Sequence, residues 1–202
     1  MRSPRTRLRA FTDALRRERI PCSSGEQSAF FATTEIAVLF SFLQIIDNPR
    51  QDVPLISVLR SPLYGFSADR LAEIRANARD TDFYEALCRD EGRDTAAFLE
   101  ELELLRDRAV DMSCHQLLWD LYDRVDLLGI FSAMGDSGTR RGNLLALSEC
   151  ARQFESSGHK GLFGFLSYLA HVRENGGRLT SPNPGGGGDG VRVLSIHKSK
   201  GL

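Results

Sequence analysis

His197, Lys198, Ser199 and Lys200 stand in a row near the end of this 202-residue chain, and their neighbours decide what chemistry is open to them. Val191, Val193, Leu194 and Ile196 supply the β-branched and apolar run of a short buried strand, punctuated by Gly190 before it and Gly201 after it. The polar residues then fall at the strand's C-terminal end, where open α/β sheets place their ligand contacts. A core strand with a solvated tail is the competing reading, and local chemistry alone favours it, since an exposed lysine in a polar turn is usually just hydrated.

The charge distribution narrows the kind of ligand. Residues 1 to 22 carry seven arginines against Asp13 and Glu18, and residues 191 to 202 add Arg192, Lys198 and Lys200. The whole chain has a net charge of −1, so the 168 residues between must hold a net −9. Phosphate binding needs clustered cations, so a phosphate partner is expected at the two ends and not at the acidic middle. An ordinary solvated arginine-rich helix at the N-terminus is the plain alternative.

Other chemistries are excluded by spacing. Cys22, Cys88, Cys114 and Cys150 form no C-x-x-C pair, which leaves buried or incidental thiols. His115, His159, His171 and His197 show no metal-ligand spacing, so no metal is expected. The run Gly185 to Gly188 is not a phosphate loop, because Lys198-Ser199 follows a strand without the required preceding glycine. No carboxylate pair or nucleophile with a spaced base stands out, so no catalytic residue is expected. No apolar run approaches the roughly 20 residues that span a bilayer, and the arginine-rich start lacks the apolar core of a secretory signal. A cytoplasmic protein is the default expectation.

The elements that must position the terminal residues are mostly helical. With 42% hydrophobic and 26% charged residues the chain has an ordinary globular composition. Leu8, Phe11 and Leu15 fall on one face of a helix over 6 to 19, followed by a short strand at Ile20-Pro21-Cys22 and a loop at Ser23-Ser24-Gly25. From Thr33 to Asp47 the apolar residues are nearly continuous, which predicts a helix buried on most sides and ended by Asn48-Pro49. Asp52 is placed to cap a second helix that closes before Pro62, and Ser67 a third that runs to about residue 78. Further helices are expected at 82–89, 94–110, 113–124, 125–133, 140–156 and 161–174, the fourth from last opened by a capping box at Ser113 to Gln116. Trp119, Phe131 and Phe163 fall among apolar neighbours and are expected in the core. Residues 175 to 190, apolar only at Leu179, read as a linker.

Two stretches carry a family resemblance. Ser195-Ile-His197-Lys-Ser-Lys200-Gly201-Leu202 resembles motif V of the UvrD-like superfamily 1 helicases, Thr/Ser-x-His-x-x-Lys-Gly-Leu-Glu-Phe. Phe30-Phe31, Glu35-Ile36, Asp47-Asn48-Pro49 with Asp52, and Arg60-Ser61-Pro62 with Gly65 are similar to the helix, Asn-Pro-x-x-Asp and x-Pro-x-x-Gly series of the same family, in the variant typical of its AddA branch. That branch comprises helicase and nuclease subunits of the bacterial AddAB recombination complex.

The resemblance implies a mainly α fragment of a longer protein. Residues 1–66 and the return strand 191–202 would be small α/β remnants of the RecA-like domain 2A. Residues 67–180 would form a helical 2B-type insertion, and 181–190 a Gly/Pro-rich linker. Met1 reads as a start residue placed before a strand end. Arg2 resembles the motif IV arginine that reaches the γ-phosphate of ATP. Ser195, His197 and Gly201 resemble motif V residues at the single-stranded DNA backbone, with Lys198 and Lys200 adding charge. ATP and Mg2+ would bind the parent protein, whose partners are DNA and AddB, and not the fragment. P-loop lysine, Walker B acid and arginine finger are not recognisable here, so the fragment is expected to be non-catalytic. Two other classes compete: a helical protein-interaction module docking through 140–174, and a small DNA-binding domain, against which the acidic middle counts.

Overall fold

The computed structural model describes residues 30–174 without a break, the strand residues 22–24 and 191–193, and Phe11, Ala14, Leu15, Arg17 and Glu18. Among the described residues the chain is mainly helical. The elements run in the order β1 (Cys22–Ser24), a 3-10 turn (Phe30–Ala32), α1 (Thr34–Asp47), α2 (Asp52–Arg60), α3 (Ala68–Asn77), α4 (Phe83–Cys88), α5 (Arg93–Asp111), α6 (Cys114–Arg124), α7 (Leu127–Ala133), α8 (Ser137–Ser156), α9 (Leu162–Glu174) and β2 (Val191–Val193).

α1 is the hub. It packs against α2, α5, α8 and α9, which requires apolar side chains on nearly every face. Ile36, Leu39, Phe42, Leu43, Ile45 and Ile46 are all buried, and between the exposed end residues Thr34 and Asp47 only the stripe Ala37, Ser41 and Gln44 approaches solvent. At about 1.5–3 kcal/mol for each large side chain removed from water, this helix supplies a large share of the gross apolar stabilisation. It stops at Asn48, where the backbone turns extended ahead of Pro49, and the Asn48 side chain accepts the Arg50 N–H at 3.1 Å.

The sequence places Asp52 as a cap, and here it differs from the structure. Gln51 occupies the cap position, while the Asp52 carboxylate accepts the Phe83 N–H at 2.9 Å. A bond reaching across 31 residues of sequence thus takes the oxygen that local capping would have used. Ser67 does cap α3, accepting the Arg70 N–H at 3.0 Å. Between them, Ser61-Pro62 and Gly65 make the turn: Gly65 sits at φ +67 and donates its N–H to Ser61 O at 2.8 Å. A side chain is strained at that angle, which is why the Pro-x-x-Gly spacing ends on glycine.

A single core runs from Ile36 to Leu169, with Phe42, Phe98, Phe131 and Phe165 among its largest fully buried side chains. α6 opens with the expected capping box, the Ser113 hydroxyl accepting from Gln116 N and the Gln116 side chain from Ser113 N at 3.1 Å. Phe131 is buried as its spacing predicts. Trp119 and Phe163 are not: 42% of the tryptophan and 72% of the phenylalanine are exposed. Phe11, expected on the apolar face of the first helix, is exposed as well, although Phe11, Ala14, Leu15 and Arg17 have helical backbone as predicted.

β1 and β2 pair in parallel, Cys22 opposite Val191 and Ser24 opposite Val193. Of the expected strand at Ile20-Pro21-Cys22, Cys22 lies in β1 while Ile20 and Pro21 lie outside the described residues, and β1 takes in Ser23 and Ser24, which the composition marks as loop; pairing with β2 overrides their turn preference. Parallel neighbours need a crossover connection, and here that connection holds the helices α1 to α9. The linker expected at 175–190 lies outside the described residues.

Candidate nucleic-acid interface

β2 ends at Val193, two residues before Ser195, and its parallel partner β1 follows directly on the arginine-rich N-terminal segment. The pairing thus draws two stretches from opposite ends of the sequence into one small sheet. Open parallel sheets bind ligands outside the carboxyl ends of their strands. Ser195, His197, Lys198, Lys200 and Gly201 lie outside the described residues, as does Arg2, so the strand leading into the motif is what the structure defines.

The described helices explain where phosphate is poorly served. Several of their arginines are engaged by carboxylates, some of them across element boundaries. Arg50 of the α1–α2 connection pairs with Asp82 and Glu85, and Arg108 at 2.9 Å with Asp120, which also receives Arg124. Arg70 of α3 donates to Asp90 and, at 3.0 Å, to both oxygens of Asp94. A guanidinium already forked onto a carboxylate has little left for a phosphate.

Two further constellations were not legible in advance. Glu35 is buried in the first turn of α1, its oxygens accepting from Arg140 at 2.6 Å and from the Asn143 amide at 2.7 Å, both on α8. A lone acid opening an otherwise apolar run was the available signal. The second is a polar notch of Asp47, Asn48, Arg50, Tyr84, Glu103 and Arg106. Partial burial raises the Asp47 carboxyl above its ordinary value, with Arg106 working against the shift. Among the described residues no three His, Cys, Asp or Glu side chains are grouped to hold a metal ion, and no helix is long and apolar enough to cross a membrane.

A mainly helical body whose chain returns to a parallel strand, with the sequence Ser-x-His-x-x-Lys-Gly just beyond it, defines a class. The profile of the UvrD-like helicase C-terminal domain matches residues 1–202, and the chain belongs to that family. It is 40% identical over 209 residues to the A subunit of the ATP-dependent helicase/nuclease of Ruminiclostridium cellulolyticum, covering 100% of this chain and 17% of that protein. The protein of the same name from Acetivibrio thermocellus is 40% identical over 210 residues with the same coverage. That of Geobacillus kaustophilus is 40% identical over 203 residues, covering 94% of the chain and 16% of the relative. The chain therefore spans about a sixth of the length of the curated relatives it matches.

Proposed function

We propose that these residues form the stretch from motif IV to motif V of an ATP-dependent DNA helicase and exonuclease of the AddA type, which acts in double-strand-break repair and recombination. The observation that carries this reading is the full-length match to the UvrD-like helicase C-terminal domain, together with relatives near 40% identity that are named as the A subunit of a helicase/nuclease. Residues 1–66 and 191–202 contribute to RecA-like domain 2A, 67–180 to the helical insertion 2B, and 181–190 to the linker. The parallel pairing of β1 with β2 around the helices supports an insertion that leaves and re-enters its host.

In this reading the stretch is non-catalytic and serves translocation. Arg2 reaches the γ-phosphate of ATP, and the remaining nucleotide chemistry, with Mg2+, belongs to sequence beyond these residues. Ser195 and His197 bind the single-strand backbone, Lys198 and Lys200 supply charge, and Gly201 lets the backbone approach. The paired arginines of the helices support leaving phosphate to the termini. The parent is cytoplasmic and pairs with AddB.

The test is His197→Ala in the full-length parent, with unwinding measured per ATP hydrolysed. Weakened single-strand binding or wasted hydrolysis is expected; normal coupling would remove the assignment. Replacing Lys198 and Lys200 by alanine should flatten the salt dependence of single-strand binding, by about 0.7 in log–log slope for each phosphate no longer neutralised. A second reading, a helical protein-interaction module, draws on the exposed Phe163 and Tyr168 of α9. It requires partner capture that is indifferent to salt and DNA.

A further inference from the structure

Residues 156–173 hold no aspartate or glutamate, although the 168 residues from 23 to 190 carry a net charge of −9. The stretch covers the turn between α8 and α9 and nearly all of α9, and it carries the exposed side chains of His159, Phe163 and Tyr168. We infer that this surface is a stacking platform for the unpaired bases of single-stranded DNA. The inference deepens the reading of the chain as part of a DNA helicase and rests on it.

The first argument is geometry. The His159 ring lies over the Phe154 ring, with centroids 5.0 Å apart and planes 24° from parallel, and the Tyr168 ring is 5.5 Å from Phe154. Phe154 is buried, so two exposed rings rest on one that is fixed in the core. Phe163 is 72% exposed at the first turn of α9. Around the helix, Ser167 and Gly164 fall between Phe163 and Tyr168, and the Ser167 hydroxyl donates to Phe163 O at 2.9 Å. Small side chains between the two rings leave room for a flat ligand.

The second argument is chemistry. One exposed aromatic needs no explanation, but three with no carboxylate in the stretch suit a ligand that presents π-faces along a chain of negative charge. The only acids of α8, Glu149 and Glu155, are already engaged: Glu149 accepts from Arg152 at 2.8 Å and from Gln153 at 3.0 Å, and Glu155 accepts the Cys114 N–H. Lys160 stands beside His159 in the turn. A single lysine adds little phosphate affinity, which is left to the chain termini, whereas stacking needs no charge because every base has a π-face. α9 is also the last helix before the chain returns to β2 and the Ser-x-His sequence beyond it, so platform and motif follow one another along the chain.

The experiment measures binding of the full-length parent, with Phe163→Ser and Phe163→Trp beside the wild type, to an oligothymidine and to an abasic oligonucleotide of the same length. Phe163→Ser should weaken binding to the oligothymidine about fivefold, the low end for one lost stacking partner, and Phe163→Trp should bind it at least as well as the wild type. On the abasic strand, which keeps the phosphates and lacks the bases, all three proteins should bind alike. Unchanged affinity of Phe163→Ser, a loss that persists on the abasic strand, or a tryptophan variant as weak as the serine one would overturn the inference. Loss of a protein partner with normal DNA binding would overturn it in favour of the interaction module. Unwinding by the parent is scored separately. Normal binding by Phe163→Ser in an active helicase removes only the platform, and base-dependent binding in a protein without helicase activity removes only the functional reading.

Discussion

Arg140 donates a 2.6 Å hydrogen bond to Glu35 across 105 residues of sequence, and this ion pair pins the start of α8 to the start of α1. Only 2% of the Glu35 side chain is exposed, and Asn143 completes its coordination. Removing one partner of a buried pair leaves the other charge uncompensated, at about 3–5 kcal/mol when burial is complete. Arg140 is partly solvated, so Glu35→Ala should cost about 3 kcal/mol and Glu35→Gln, which keeps an oxygen for Asn143, distinctly less. Urea unfolding of both variants reads this directly; equal losses would mean that the oxygen kept for Asn143 contributes nothing and that the lost charge accounts for the whole effect.

Arg70 makes stability depend on pH. Its hydrogen bonds hold the Asp94 carboxyl below the unfolded value of 3.8. Burial by itself would raise Asp90, but donors from Arg70, Thr95 and the Gly92 amide outweigh it and bring that carboxyl down too. A depressed folded value means stability present above 3.8 and lost as pH falls through the folded values. Asp94 is 45% exposed, so solvent screens its share, and Asp90 dominates. Arg70→Met should therefore cost about 2 kcal/mol at pH 7 and much less at about pH 3. Urea midpoints at the two pH values check it, and an undiminished gap in acid would contradict the assignment.

The thiols should separate by reactivity. Burial pushes Cys114 and Cys150 up to about 11, with Glu155 adding to the shift at Cys114; partial burial raises the Cys88 thiol as well, but Cys88 is exposed to reagent and the other two are buried. The thiolate is the reactive form, and buried thiols are also shielded. At about pH 8 a disulfide reagent should modify Cys88 rapidly and Cys114 and Cys150 only as the protein unfolds. Peptide mapping after a short exposure distinguishes them; early labelling of Cys114 would show that α6 opens locally.

Much of the helical body was legible because its determinants are local. The apolar run over 33–47, the Asn48-Pro49 stop, the Ser67 cap and the Ser113 capping box are each set by residues close in sequence. What escaped depends on partners far along the chain. Asp52 does not cap its own helix because the Phe83 N–H at the start of α4 claims it, and the role of Glu35 exists only once α8 arrives. Trp119 shares the helical spacing of core residues, yet α6 ends up with that position at its rim, beside His115 and Tyr122. The motif residues at 195–201 were legible as a family pattern, and the structure adds the strand pairing that leads to them.

Phe163 and Phe165 put the limit of periodicity to a direct test. Two residues on a helix lie about 200° apart, so only one can face the core, and burial of Phe165 commits Phe163 to solvent. Sequence spacing placed Phe163 in the core, the side that Phe165 takes. Phe165→Ala should cost about 3–5 kcal/mol, the loss for a buried aromatic that leaves a cavity among Phe154 and its neighbours. Phe163→Ser should stay within about 0.5 kcal/mol, because the side chain gives up almost no burial. Urea unfolding of the two variants separates the faces. A large loss at Phe163 would place that ring in the folding core and so invert the orientation of α9, and it would also withdraw the exposed aromatic surface on which the protein-interaction reading depends.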